Sequence, residues 1–411
     1  MTDTTTDSVL IAPRPRWWAW LIAGVSLLFL VAIAVAALIP SEWVAEAENP
    51  RLDEMQPAPY ARIPASAESV NDRIVYTGLP DEVEVFDTDG DFFFVTVSAP
   101  TQSMLSWLVG AGDPVELLTE EGRNGRRTAT QNREISLQQM RTATQEAQYV
   151  ALTVAGYDPT IENGEVVVQD VLCRVPGEDR LECAEPFPAD EALDPADAIL
   201  AVDGVPVGTI DDLAAELDGR SPGDVIELRI RRPTVGELDV EVELSSDPDD
   251  PDRTIVGFVP FDTRSITLPF DVAIDSGAVG GPSAGLAFTL ALIDELTEGD
   301  LTGGRNIAVT GTIDLEGNVG PIGGLRQKMS AVQQHGVDVF IVPANQIEFS
   351  DDDPSTDLDD DICRLECLNE AADGEVVIIK VATLEEALIA LQTLGGDPPV
   401  PVGGGDDTTA S

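Results

Sequence analysis

The stretch from Asp271-Val272-Ala273-Ile274 to Gly280-Gly281-Pro282-Ser283-Ala284-Gly285-Leu286-Ala287-Phe288 decides the fold. It runs from a strand-like segment through a glycine-rich turn into an apolar helix, predicted over residues 283–296. Glycine permits a sharp turn and close backbone approach, and Pro282 fixes φ just ahead of the helix. Ser283 then stands at a helix N-terminus, where unpaired N–H groups and the dipole favour negative charge. That setting suits the oxyanion of acyl transfer. Taken alone, it more often marks a serine that only caps its helix.

A serine hydroxyl becomes a useful nucleophile beside a base. The chain holds one histidine, His335, and two lysines, Lys328 and Lys380, among 23 basic residues. Lys328 lies in Gly323-Gly324-Leu325-Arg326-Gln327-Lys328-Met329, on a helix predicted over residues 324–335. Lysine loses its proton when desolvated, whereas arginine effectively cannot. A buried Lys328 with a lowered pKa could therefore take the Ser283 proton. The plain alternative is a solvated lysine on a helix surface. His335, beside Gly336, reads as a helix C-terminal residue, and a Ser-His-Asp triad would have to use it. A phosphate-cradling loop needs Gly-Lys-[Ser/Thr]. Neither lysine follows a glycine, so no Walker-type ATP site can be drawn in this sequence.

Around this core, strand patterns at Ile307–Val309, Val339–Val342 and Val376–Ile379 alternate with helical spacing, including residues 384–394, which indicates α/β or α+β. Upstream, Ala198-Ile199-Leu200-Ala201-Val202-Asp203-Gly204-Val205-Pro206-Val207 reads as strand, Asp-Gly turn, strand. A short helix over 210–217 follows, with Thr209 as candidate N-cap. Val225–Ile230 and Leu238–Leu244 alternate as half-buried strands do. Further upstream, Val83–Phe86 and Phe92–Val97 flank Asp87-Thr88-Asp89-Gly90 and predict a hairpin. Helices are predicted over 103–109 and 137–152, with a charged loop over 120–133.

The 411 residues carry 75 Asp plus Glu against 23 Lys plus Arg, a formal net charge of −52. A nucleic-acid partner is excluded, because binding a phosphate backbone needs Lys and Arg to displace counterions. Docking on anionic lipid through a basic face is excluded on the same ground. Trp17 to Ile39 is uncharged, long enough as a helix to cross a bilayer core of roughly 30 Å, and opens with Trp17, Trp18 and Trp20 as an interfacial belt. Arg14 and Arg16 precede it and Glu42, Glu46 and Glu48 follow, so the N-terminus is expected in the cytoplasm and the bulk of the chain outside. A cleaved signal peptide is the competing reading, though the run is longer than the usual apolar region of about 7–15 residues. Four cysteines fit an oxidising compartment, with Cys173–Cys183 and Cys363–Cys367 as nearest-neighbour pairs. A zinc site is the sharper alternative, but no short C-x2-C repeat supports it.

These motifs together carry a resemblance. The segment around Ser283, then Leu296-Thr297-Glu298-Gly299-Asp300-Leu301-Thr302-Gly303-Gly304, Thr310-Gly311-Thr312-Ile313, Gly317-Asn318-Val319-Gly320-Pro321-Ile322-Gly323-Gly324 and Lys328 resemble, in order, the Lon-type Ser-Lys proteases. The resemblance implies Ser283 as nucleophile, Lys328 as general base and Thr310 as the threonine bonded to the lysine. Gly281, Pro282 and Ala284 support the turn, with backbone N–H groups around Ser283 as oxyanion donors. It implies no cofactor and no metal, and a hexameric homo-oligomer. The arrangement is similar to the membrane-anchored, PDZ-containing Lon-like proteases of bacteria. Val166 to about Leu244 resembles a PDZ domain, which would bind an extended peptide by strand addition. Where that family more often has Pro-Gly-Asp, this chain has Pro195-Ala196-Asp197, and residues 173–193 read as an insertion held by a Cys173–Cys183 bridge.

The expected organisation is multi-domain α+β: a cytoplasmic tail (1–16), a transmembrane helix (17–39), a linker (40–65), a small extracytoplasmic α/β region (66–150), a PDZ-like β domain (151–246), a Lon-type α/β protease domain (253–395) and a disordered tail (396–411). The expected function is a single-pass membrane serine endopeptidase acting on extracytoplasmic or unfolded polypeptides, with no ATP site of its own. The alternative is a non-catalytic PDZ scaffold with a degenerate protease-like domain.

Overall fold

The structure, a computed structural model, describes residues 17–49, 54–110, 112, 114–125, 127–176, 183–233, 235–247, 250, 253–345, 368, 372 and 374–402. The acidic loop at 351–361 and the Cys363–Cys367 pairing lie outside the described residues.

The first main sheet has six strands in the order Val377–Val381, Val339–Pro343, Ile307–Val309, Phe92–Ser98, Tyr60–Ser69, Glu116–Leu118. The first four run parallel and the last two pair antiparallel. Parallel strands are normally covered on both faces, and alternate side chains here enter two separate cores. Phe92, Phe94, Ile307, Val309, Val339 and Ile341 face the helices Ala129–Val154 and Gly285–Leu296. Val95, Ala308, Phe340 and Val342 face the helix Leu325–Gln334 on the other side. Helix Gly285–Leu296 is buried at all twelve positions, which explains why its sequence is apolar apart from Thr289, Asp294 and Glu295. Phe288 meets the ring of Phe94 edge to face at 5.6 Å.

This sheet joins segments that lie far apart in the sequence. Strand Phe92–Ser98, assigned to a separate region ending at residue 150, lies at the centre of the same sheet as Ile307–Val309. No hairpin joins it to Val83–Phe86, which is not a strand. Phe92 and Phe94 are fully buried, so that strand pairs where its apolar faces are covered rather than where the nearest turn would put it. The expected linker 40–65 contains the paired strands Glu46–Asn49 and Glu54–Pro57 and opens the sheet strand Tyr60–Ser69. The charged loop 120–133 holds a short helix, Glu120–Asn124, and the first turn of Ala129–Val154, capped by Thr128. The C-terminal segment is docked as far as residue 402: Asp397 N–H donates to Asp300 and Val402 N–H to Ala155, both at 2.8 Å.

The second sheet, also six-stranded, is antiparallel, in the order Gly236–Glu243, Val225–Arg232, Ala198–Val202, Thr160–Val171, Phe258–Thr267, with Val205–Pro206 paired to Ala198–Val202 off this path. Its last strand was expected in the protease domain, and instead pairs with Thr160–Val171 over nearly its full length. Ile226, Leu228 and Ile230 alternate into a core closed by helix Ile210–Leu217, whose Thr209 and Asp212 form a capping box. The Cys173–Cys183 disulfide is present. Ile135, on the long helix Ala129–Val154, is fully buried against Val167, Ala198 and Phe261 of this sheet.

Ala196 has φ +77°. It stands where the resemblance would place the glycine of a Pro-Gly-Asp sequence. Asp197, fully buried, receives two bonds from Arg232 at 2.9 and 2.6 Å and one from the Asp194 N–H at 2.8 Å. A left-handed alanine costs roughly 1–2 kcal/mol, partly offset by its lower entropy when unfolded. Ala196→Gly should therefore stabilise the chain by about 0.5–1 kcal/mol in chemical unfolding, whereas Phe288→Ala should cost about 3–5 kcal/mol.

Candidate active site

The turn before helix Gly285–Leu296 is shaped by its glycines. Gly281 has φ +87°, and its N–H donates to the Ser136 carbonyl at 2.7 Å. A Cβ on Gly280 would come within 2.8 Å of the Ser136 Cβ, so only glycine lets the two chains touch there. The helix begins at Gly285, two residues later than expected, and its N-cap, Ala284, makes no side-chain cap bond. Ser283 is therefore not a cap. Its Oγ accepts instead from Lys328 Nζ at 2.8 Å.

Lys328 sits one turn inside helix Leu325–Gln334 and is 2% exposed. Its Nζ also donates to Thr310 Oγ1 at 2.9 Å. Thr310, fully buried at the end of strand Ile307–Val309, donates its own hydroxyl proton to the Ser283 carbonyl at 3.2 Å. The Gly311 N–H reaches the same carbonyl at 2.9 Å. With its proton so used, Thr310 serves the amine only as acceptor, which aims the remaining valences of Nζ at Ser283. Loss of solvent pushes the Lys328 amine down from 10.5 to about 7.

The residues singled out by sequence thus meet: Ser283, Thr310 and Lys328 bond to one another, and Gly281, Pro282 and Ala284 form the turn beneath them. Gly281 is spent on Ser136, so its N–H is not an oxyanion donor. The N–H groups of Ser283 and Ala284 have no partner among the described residues. His335 is exposed at the end of its helix, with Nδ1 2.8 Å from the Ala331 carbonyl, and does not line the site. Sequence reasoning missed the wall opposite the turn. A cavity of about 990 Å³ holds Ser283 and Lys328, and Val95–Pro100, Arg62, Arg123, Arg133 and Ser136 line it too. The cluster of arginines over 123–133, in so acidic a chain, was the available signal.

Residues 267–364 match the Lon protease (S16) C-terminal proteolytic domain. The chain carries a Lon-type proteolytic domain. Among curated relatives, the Lon protease of Ureaplasma parvum is 29% identical over 153 residues, covering 34% of this chain and 19% of that protein. The Lon protease of Roseiflexus castenholzii is 32% identical over 148 residues, covering 33% and 18%. That of Desulfatibacillum aliphaticivorans is 41% identical over 87 residues, covering 20% and 10%. The chain thus spans a fifth or less of these relatives' length. Among solved structures, the PDZ domain of an SdrC-like protein from Listeria monocytogenes aligns with 24% of this chain and 88% of its own, at 16% identity and a TM-score of 0.19. A solution structure from Geobacillus thermodenitrificans aligns with 24% and 98%, at 23% identity and a TM-score of 0.19.

A second group of perturbed residues lies about three turns along the helix from the Lon-type serine. Asp294 is fully buried, with one oxygen accepting from the Leu301 N–H at 2.7 Å and the other without a partner among the described residues. Glu295 accepts from Tyr76 at 2.9 Å and Asn71 at 3.1 Å. Burial raises both carboxyls to about 7. Unfolded, they would release their protons near pH 4. Between about pH 4 and 7 the folded state binds more protons, so this pair makes stability fall as pH rises. Glu295→Gln should flatten the fall in thermal midpoint between about pH 5 and 7; an identical slope in both proteins would remove that assignment.

Proposed function

We propose that the chain is a membrane-anchored serine endopeptidase in which Ser283 and Lys328 form the catalytic dyad. The observation that carries the reading is the 2.8 Å contact between Ser283 Oγ and an amine that is 2% exposed and lowered to about 7. Near neutral pH a sizeable fraction of that amine is unprotonated and can accept the serine proton as Oγ attacks a peptide carbonyl. The oxyanion would receive the free N–H groups of Ser283 and Ala284. The protonated lysine then returns the proton to the leaving amine. Water, deprotonated by the same lysine, releases the acyl group and restores the serine.

The remaining parts fit around this step. Helix Trp17–Leu38 is long and apolar enough to cross a membrane, and the charges flanking it favour a cytoplasmic N-terminus with the protease outside. The second, antiparallel sheet would act as a PDZ domain presenting or gating substrate. A groove of about 590 Å³ lies between helix Ile210–Leu217 and strand Phe258–Thr267, with Ile210, Leu213, Leu217 and Phe258 as its apolar lining. That strand is an edge of its sheet, the position from which a peptide can be added. Polypeptides are the substrate class, a hexamer is the assembly implied by the resemblance, and the absence of a Gly-Lys-[Ser/Thr] sequence supports hydrolysis without ATP turnover by this chain.

Ser283→Ala and Lys328→Arg should each lower kcat/KM for a fluorogenic peptide by at least about a thousandfold without changing the circular dichroism. In the wild type, kcat/KM and acylation of Ser283 by a serine-directed probe should rise with pH through about 7, since the reactive amine is the neutral one. Undiminished turnover in either variant would remove the dyad, and failure of the probe to label Ser283 would favour a scaffold.

A further inference from the structure

The catalytic cavity has a charge opposite to that of the molecule around it. Acidic residues make up 75 of 411 positions, so about five of the 27 residues lining the cavity would be acidic if they followed the average. None is. The ionisable side chains there are Arg62, Arg123, Arg133 and Lys328. Arg62 is bonded to Glu116 at 2.8 Å. Arg123 and Arg133 have no carboxylate within ion-pair distance among the described residues. Arg123 is half-buried, with its guanidinium 4.3 Å over the Tyr60 ring and a side-chain hydrogen bond to Tyr60, which together hold its plane while leaving its other N–H groups to donate. The nearby acid, Glu120, is occupied by the Asn124 amide at 2.7 Å. Arg133 is exposed on the adjoining turn of helix Ala129–Val154.

We infer that Arg123 and Arg133 form a subsite for a substrate carboxylate, so that the peptides cleaved carry Asp or Glu, or a chain-terminal carboxylate, close to the scissile bond. This rests on the endopeptidase reading and names its substrate class. An unpaired arginine in an acidic protein has abundant carboxylates to choose from, and two are left open where a peptide must lie. Guanidinium binds carboxylate through paired, charge-assisted N–H bonds, and does so best where water is partly excluded. The acidic exterior opposes such a peptide at long range, but its field is screened beyond about 8 Å at physiological salt. Within the cavity the two guanidinium groups are the nearer charges. Acidic peptides are thus selected after they enter, not steered from afar.

The test uses the full-length protein in detergent at physiological ionic strength, with fluorogenic peptides identical except for Glu, Gln or Lys within three residues of the scissile bond. Each is made with a free and an amidated C-terminus. The expected result is a kcat/KM roughly five- to tenfold higher for Glu than for Gln, lower still for Lys, and a Glu-to-Gln ratio near one in the Arg123→Gln/Arg133→Gln double variant. A preference that follows the free C-terminus instead of the side chain assigns the subsite to chain ends. A wild-type ratio of one or less, or a ratio kept in the double variant, overturns the inference. Equilibrium binding of the same peptides to Ser283→Ala by fluorescence anisotropy reads the preference without turnover. Absence of hydrolysis by the wild type, with the binding preference intact in Ser283→Ala, therefore removes the endopeptidase reading and leaves the subsite.

Discussion

The site depends on keeping water away from one amine. An ammonium group in water holds its proton to a pH near 10, and no hydroxyl beside it becomes reactive at neutral pH. Lys328 is 2% exposed, and desolvation is the cause of its lowered pKa. Two further features follow from that burial. The amine must find polar partners, and it finds Ser283 Oγ and Thr310 Oγ1 at 2.8 and 2.9 Å. The structure around it must also be stiff, because a loose wall would admit water and restore the charge. Helices closed on both faces of a central parallel sheet supply that stiffness.

The site is built from segments far apart in sequence. The serine turn, the end of strand Ile307–Val309 and helix Leu325–Gln334 come from the C-terminal part. Strand Phe92–Ser98 and helix Ala129–Val154 come from the N-terminal part and supply the opposite wall. The 98 residues matched to the Lon-type domain therefore do not make a closed site by themselves. The sheet strand Phe92–Ser98 and the Ser136 carbonyl that holds Gly281 both lie outside that match.

The catalytic candidates were legible because their chemistry leaves few options. With two lysines and one histidine in the chain, a glycine-rich serine turn had almost no other base to use. Helices with regular apolar spacing, such as Ile210–Leu217 and Leu384–Leu394, were legible to the residue. Strand partners were not. Val83–Phe86 has the alternation of a strand, yet it pairs with nothing in the sheet, and Phe92–Ser98 pairs with Ile307–Val309 more than 200 residues away. Period-two alternation reports which residues face inward but not which neighbour covers them. Sheet order is a long-range property, which no local pattern in the sequence reports. Ala196 adopts a left-handed φ of +77° beside the buried Asp197–Arg232 pair, a placement that no local sequence pattern reports.

Ile135 and Ser136 are consecutive residues on one helix, and they answer to different halves of the molecule. Ile135 is embedded in the second sheet against Phe261, while the carbonyl of Ser136 accepts from the Gly281 N–H two residues before Ser283. A helix transmits displacement along its length with little loss, so these neighbours act as a strut one residue wide. Movement of the second sheet and alignment of the turn that carries Ser283 are therefore geometrically coupled through this helix.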